Sequence, residues 1–223
     1  MKRRVPFLLL LCAILFFPGN PLDGQELGAK FGVTHSYADI SQEIPGIIFQ
    51  SMNDFSAGIF LSIDLIGGQL GLQPEVNYTV KGFDAKEMDQ GEEISSKYKI
   101  SYIEVPVLVY YKAPLKGRIK PCVFFGPYVG FAQKVMEVQT AFGDTEKRDV
   151  GDNLKGQDFG LVFGGNVRYR VGSLNLLLDI RYSVGLNNIA MDITDVAYEF
   201  FDEDTIKNRS LVLSLGVGFN LSD

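Results

Sequence analysis

Leu70-Gly71-Leu72-Gln73-Pro74-Glu75-Val76-Asn77-Tyr78-Thr79-Val80-Lys81 is the stretch on which the reading of this chain turns. Leu70, Leu72, Pro74, Val76, Tyr78 and Val80 share one parity, and Gly71, Gln73, Glu75, Asn77, Thr79 and Lys81 share the other. Successive side chains of a strand point to opposite faces, so this alternation predicts a strand with one apolar and one polar face. A helix would need apolar residues at intervals of three and four.

The same period recurs on both sides of this stretch. Upstream it runs over 27–34 and 56–65, and downstream over 102–112, 121–132, 158–169, 174–186 and 211–221. Residues 174–186 place Leu174, Leu176, Leu178, Ile180, Tyr182, Val184 and Leu186 opposite Asn175, Leu177, Asp179, Arg181, Ser183 and Gly185. Eight strands are predicted, and their connections alternate in length. Residues 66–69, 113–120 and 170–173 are short; 36–55, 82–98, 133–157 and 187–209 are long. Tight turns at one end and longer loops at the other mark an up-and-down barrel in an outer membrane, with the short turns on the periplasmic side.

The apolar parity is made of large aliphatics and aromatics, while the other parity is rich in Gly, Ser, Asn and Thr. An eight-stranded barrel is only wide enough to be filled by side chains. The bulky set therefore belongs against lipid and the small polar set inside. Closure also satisfies every backbone group within the hydrocarbon. Tyr78, Tyr111, Phe159, Tyr169 and Phe219 lie near strand ends, as interfacial girdles do. The reverse arrangement, a secreted soluble barrel holding a lipid, is the alternative that detergent dependence of folding would separate.

The ends and the composition agree with export. Lys2, Arg3 and Arg4 precede an apolar run from Val5 to Phe17, followed by Pro18, Gly19, Asn20 and Pro21. Residues 1–24 read as a signal peptide, too short to span a membrane as a helix, leaving 25–223 as the barrel domain. The 223 residues carry a net charge of -6; loss of 1–24 removes Lys2, Arg3, Arg4 and Asp23 and brings the balance to -8. Such acidity argues against nucleic acid. One His and two Cys, of which only Cys122 lies beyond residue 24, argue against a zinc site and an internal disulfide. No cofactor is expected.

Inside the predicted barrel, Glu75, Glu104, Asp179 and Arg181 fall near mid-strand, with Lys30, Asp64 and Arg168 nearer the periplasmic ends. Buried charges must be paired or solvated, so these residues are expected to form a cross-barrel ion-pair plug. His35 ends the first strand at the external rim with Ser36 and Asp39 close behind, a composition that a lipid-modifying acyltransferase or deacylase could use. Adjacent residues on an extended strand point to opposite faces, however, so the reading without enzymatic activity is preferred. The loop 187–208 gathers Asp192, Asp195, Glu199, Asp202, Glu203 and Asp204 around Tyr198, Phe200 and Phe201. It lacks the spacing of an EF-hand and is expected to be solvated or to contact a partner.

Three further stretches carry a resemblance. Tyr102-Ile103-Glu104-Val105-Pro106, Gly126-Pro127-Tyr128-Val129-Gly130 and Arg181-Tyr182-Ser183-Val184-Gly185-Leu186-Asn187-Asn188-Ile189, with the closing Gly216 to Phe219, resemble the PorT-like outer-membrane barrels of Bacteroidetes. The resemblance implies outer-membrane residence and, for some members, an association with protein secretion. It implies outer-membrane lipid and envelope or secretion proteins as partners of a monomeric barrel, and no activity. Asn220 to Asp223 follow Phe219, a departure from strands that end on an aromatic.

Overall fold

The computed structural model describes residues 25–40, 46–89, 92–149, 156–189 and 206–221. The apolar leader within 1–24 and the acidic stretch 190–205 lie outside these residues, so the signal-peptide and acidic-loop readings are not addressed by it. Ten strands are described: β1 (Gln25–Ile40), β2 (Ile47–Gln50), β3 (Met52–Ile66), β4 (Leu70–Asp89), β5 (Glu92–Lys112), β6 (Ile119–Ala141), β7 (Asp144–Asp149), β8 (Gln157–Val171), β9 (Leu174–Gly185) and β10 (Ile206–Asn220). Eight of them close a ring in the order β1-β3-β4-β5-β6-β8-β9-β10, every neighbour antiparallel and β10 returning to β1. Closure runs from Glu26 opposite Asn220 to Ile40 opposite Ile206. The architecture is an eight-stranded antiparallel up-and-down transmembrane barrel.

The apolar parity faces out. Phe31, Phe125 and Leu215 are 62%, 64% and 68% exposed, while Glu75, Asp179 and Arg181 are buried within the ring. This excludes the reversed, soluble arrangement, whose apolar side chains would line the lumen. The outward apolar run spans Leu70–Tyr78 on β4, Ile103–Tyr111 on β5, Val123–Phe131 on β6 and Leu211–Phe219 on β10. Runs of this length match the 9–11 residues that a tilted strand needs to cross the hydrocarbon. Beyond Ile103 the outward face of β5 turns to Ser101, Lys99 and Lys97, which sets the external edge of the lipid-facing band.

Two of the stretches predicted to be long loops are largely strand. β4 and β5 continue their ladder past the band to Asp89 opposite Glu92, within 82–98. β6 runs on to Ala141 and folds back through Phe142-Gly143 into β7, within 133–157. β2 adds to the other edge of β4, pairing Ile47–Gln50 with Asp84–Glu87. The result is an external wall, β2-β4-β5-β6-β7, standing on one side of the barrel. Neither of its faces meets lipid, so the strict alternation that reports a membrane strand is not required there.

The inner side of this wall bears an apolar cluster of Phe83, Ile100, Tyr102, Val135, Ile189 and Ile206. Ile189 is drawn in by its amide, which donates to the Ile206 carbonyl at 2.8 Å, while the Ile206 amide donates to Asn188 Oδ1 at 2.9 Å. The cluster caps the external end of the lumen. At the other end the β3–β4 turn uses Gly67 and Gly68 at φ 58° and 65°, a conformation that favours glycine.

The lumen holds more than small polar residues. Phe60, Leu108, Tyr110, Phe124, Tyr128 and Val162 are buried inside, all on the parity expected to be small and polar. They fit because glycines stand beside them across the ladder. Phe60 faces Gly28, and Tyr128 faces Gly160. A Cβ on Gly28 would overlap Phe60 Cζ, and one on Gly160 would overlap Tyr128 Cε1. Large and small side chains thus alternate between neighbouring strands and fill a narrow interior.

Candidate functional site

The site is the polar interior, a column of charges built from strands that alternate inward and outward. Its centre is Glu75 on β4, 2% exposed. Lys30 Nζ from β1 donates to Glu75 Oε2 at 2.6 Å. Arg181 from β9 donates through Nη1 to Oε2 at 2.7 Å and through Nη2 to Oε1 at 3.3 Å. Gln73 Nε2 and Asn77 Nδ2 add bonds at 2.7 and 2.9 Å. Arg181 also holds Asp179, two residues along its own strand, through Nε at 2.8 Å and Nη2 at 2.9 Å. Two inward positions on one strand face the same way, which is why Asp179 and Arg181 meet.

Toward the periplasmic end a second group gathers on Arg168 of β8. Its Nη1 donates to Glu26 Oε2 at 3.0 Å, and its Nη2 donates to Ser62 Oγ at 3.2 Å and Gln73 Oε1 at 2.8 Å. Asn175 Nδ2 donates to the same Glu26 oxygen at 2.8 Å. Gln73 therefore joins the two groups, its amide nitrogen on Glu75 and its oxygen on Arg168. Asp64 stands apart, accepting from Lys112 Nζ at 2.6 Å and from the Tyr110 hydroxyl.

Toward the external end a third group centres on Lys81. Its ammonium lies 2.5 Å from Glu104 Oε1 and 3.5 Å from Asp158 Oδ2. It also sits 4.7 Å from the centroid of the Tyr128 ring. Asp158 Oδ2 accepts from the Tyr128 hydroxyl at 2.9 Å and from Asn208 Nδ2 at 3.0 Å. Burying an ion costs several kcal/mol unless charge and hydrogen bonds compensate, and each of these groups supplies both.

Six residues singled out in the sequence thus fall into three groups. Lys30, Glu75, Asp179 and Arg181 share the centre; Arg168 belongs to the periplasmic group and Glu104 to the external one. Lys30, expected near the periplasmic end, stands on the ladder row of Gly58 and Asn77, one inward position from Glu75, and so reaches the central carboxylate. Glu26, Lys81 and Asp158 were missed, although each has the inward parity of its strand: Glu26 that of Gly28, Lys81 that of Glu75, and Asp158 that of Gly160. Between Lys30, Asn77, Glu104 and Arg181 the remaining void is about 10 Å³, room for about one water.

His35 and Ser36 do not assemble. His35 is exposed on the outside of the barrel, where Nδ1 lies 2.8 Å from Asn53 Oδ1. Ser36 is buried inside, its Oγ donating to the Gly82 carbonyl and accepting from the Gly82 amide, both at 3.0 Å. Asp39 is engaged by Arg209 Nη2 at 2.7 Å. The strand's two-residue period puts Ser36 on the inner face and His35 and Asp39 on the outer one, and Asp39 is taken by Arg209, so no nucleophilic site is assembled here.

The chain is similar to solved outer-membrane barrels at low identity. The match with Neisserial surface protein A covers 89% of this chain and 97% of that one, at 18% identity and a TM-score of 0.46. For a major outer membrane protein of Thermus thermophilus the shares are 86% and 98%, at 17% identity and 0.47. For OprG of Pseudomonas aeruginosa they are 88% and 95%, at 12% identity and 0.46. No curated protein matches the chain. The family model described as outer membrane protein beta-barrel domain matches residues 23–190. Lipid-facing strands, a closed ladder and that match lead to one conclusion: this chain belongs to the outer membrane protein beta-barrel domain family and resides in the bacterial outer membrane.

Proposed function

We propose that the protein is a closed, non-conducting barrel, plugged by its own ion pairs, whose work is done by surfaces outside the lipid. The observation that carries this reading is Glu75, clamped between Lys30 of β1 and Arg181 of β9 across the lumen. An open water path has no place through a carboxylate held by two cations from different walls, with an apolar cluster above it. Reconstitution in planar bilayers tests the plug: no stepwise conductance is expected, and stable channels in the wild-type protein would overturn it.

The external wall is the surface offered to partners. It extends past the lipid on one side of the barrel, and β7 presents six exposed residues along its edge. The PorT-like stretches at 102–106, 126–130 and 181–189 support an accessory role in protein secretion, following export through the signal peptide of residues 1–24. A monomeric barrel in outer-membrane lipid, touching envelope or secretion proteins through this wall, is the arrangement proposed. Deleting the gene and restoring it with a form lacking the β6–β7 hairpin beyond Gln139 tests the role. Secretion is expected to fail with the hairpin-deleted form and to recover with the intact one. Full recovery with the deleted form would refute the wall as the working surface.

A further inference from the structure

The periplasmic mouth opens into a cavity of about 680 Å³, enclosed by the three short turns and the lower strand ends. Two carboxylates line it, and both are already neutralised. Glu26 is held by Arg168 at 3.0 Å and Asp64 by Lys112 at 2.6 Å. Three further cations line the same cavity: Lys116 from the β5–β6 connection, Lys120 from the start of β6, and Arg170 from the end of β8. Among the described residues none of the three has a carboxylate partner. Lys120 donates to the Leu115 carbonyl and Arg170 Nε to the Gly172 carbonyl at 3.2 Å, bonds that leave their charge uncompensated. A protein of net charge -6 thus concentrates unpaired positive charge in one concave place.

We propose that this mouth is a binding site for a short acidic peptide segment presented from the periplasm. The volume lies in the range of pockets that hold small ligands and is too narrow for a folded domain, whereas the end of an extended chain can enter it. The cations come from one turn and from the ends of two strands, so a ligand with several spaced carboxylates matches them better than a single anion. Gly67 and Gly68 form part of the rim and put no side chain in the way. This mouth lies at the end of the barrel opposite the wall, and binding there is independent of the plug and of secretion.

The test is fluorescence anisotropy of the full-length protein in zwitterionic nanodiscs, with a labelled peptide of alternating aspartates and glutamates. Saturable binding is expected at low salt, weakening as salt rises. The variant K116Q/K120Q/R170Q is expected to lose about tenfold in affinity, in line with the removal of three partly screened charge contacts. The variant K97Q/K147Q, which removes two lysines from the external wall, is expected to bind like the wild type. Faster migration of unboiled samples reports that each variant is folded. If the triple variant does not fold, Lys116→Gln alone, on an exposed turn, is expected to weaken binding about twofold to threefold. Absence of saturable binding, equal affinity in the folded charge-removed variant, an equal loss in K97Q/K147Q, or displacement of the peptide by equimolar inorganic phosphate would each overturn the proposal.

Discussion

Gly28 on β1 and Phe60 on β3 stand directly opposite each other, and the phenyl ring occupies the space that a side chain on Gly28 would need. The Val217 carbonyl lies 2.6 Å from the same Cβ position, so moving the ring alone would not make room. Gly28→Val is expected to destabilise the barrel by more than Phe60→Ala, itself costing about 3–5 kcal/mol through cavity formation. Urea titration in lipid vesicles, read by the mobility of unboiled samples, checks the order. A Gly28→Val protein as stable as the wild type would show that the ring is not held there.

Arg181 holds Asp179 and shares Glu75 with Lys30, so its removal strands the buried Asp179 carboxylate and leaves Glu75 with Lys30 alone. Arg181→Ala is expected to cost about 3–5 kcal/mol, and substituting Asp179→Asn in that background is expected to recover part of the loss. The same unfolding assay measures both. Equal stability of Arg181→Ala and wild type would dismiss the interior pairs as a structural element.

His35 should be dispensable for the barrel. It is exposed, on the outer face, with Asn53 as its partner. His35→Ala is expected to change stability by less than about 0.5 kcal/mol, as surface substitutions usually do. It is also expected to leave the protein without detectable esterase or acyl-transfer turnover, as in the wild type. Turnover in the wild type that vanishes with His35 would reverse this.

Cys122 is buried among Leu108, Tyr110 and Phe124 and is the only cysteine beyond residue 24. A maleimide is expected to leave it unmodified in the folded barrel and to label it fully after boiling in detergent. Mass spectrometry gives the answer, and rapid labelling of the folded protein would mean that the lumen admits the reagent.

The external wall should loosen at high pH. Burial, and then the Glu137 carboxylate that accepts its hydroxyl at 3.1 Å, push the Tyr98 phenol well above its usual range. An unfolded tyrosine ionises near pH 10, so the stabilisation is complete below about pH 10 and fades as pH rises toward the folded value. Proteolysis within 82–98 is expected to accelerate above about pH 10 in the wild type and less so in Tyr98→Phe. Identical pH profiles would show that the Tyr98 proton is not involved.

The membrane-spanning part of this fold is legible because lipid demands alternation. Leu70 to Tyr78 obeys it throughout, since every second residue there faces outward to hydrocarbon, and the alternation carries on to Lys81 although Val80 is already buried. The wall is not legible in the same way. Over 82–88 and 94–98 both faces meet water or other side chains, and turn-prone residues such as Gly82, Asp84 and Asp89 read as loop although the ladder continues. In the interior, parity gives the facing of Glu75, Glu104 and Arg181, but which cation reaches which carboxylate depends on strand tilt and side-chain length. That is how Lys30 comes to Glu75 while Glu104 goes to Lys81. Phe60 and Tyr128 show the same limit: a large residue on a small-residue face is explained only by the glycine across from it, and one strand read alone does not reveal its neighbour.

The interior bonds join residues far apart along the chain. Glu75 and Arg181 are separated by 106 positions, Glu26 and Arg168 by 142, and Glu26 and Asn175 by 149. No hairpin can form any of them by itself, and contacts of such long range form only after the intervening chain has been brought together. Until β10 meets β1, Glu26 lies on one edge strand of an open sheet and Arg168 on β8, two strands in from the other edge. Assembly is therefore expected to approach all-or-none behaviour: a chain shortened at either end should forfeit most of its charge network in one step, so that a truncated barrel would persist as an unclosed intermediate for the cell to clear.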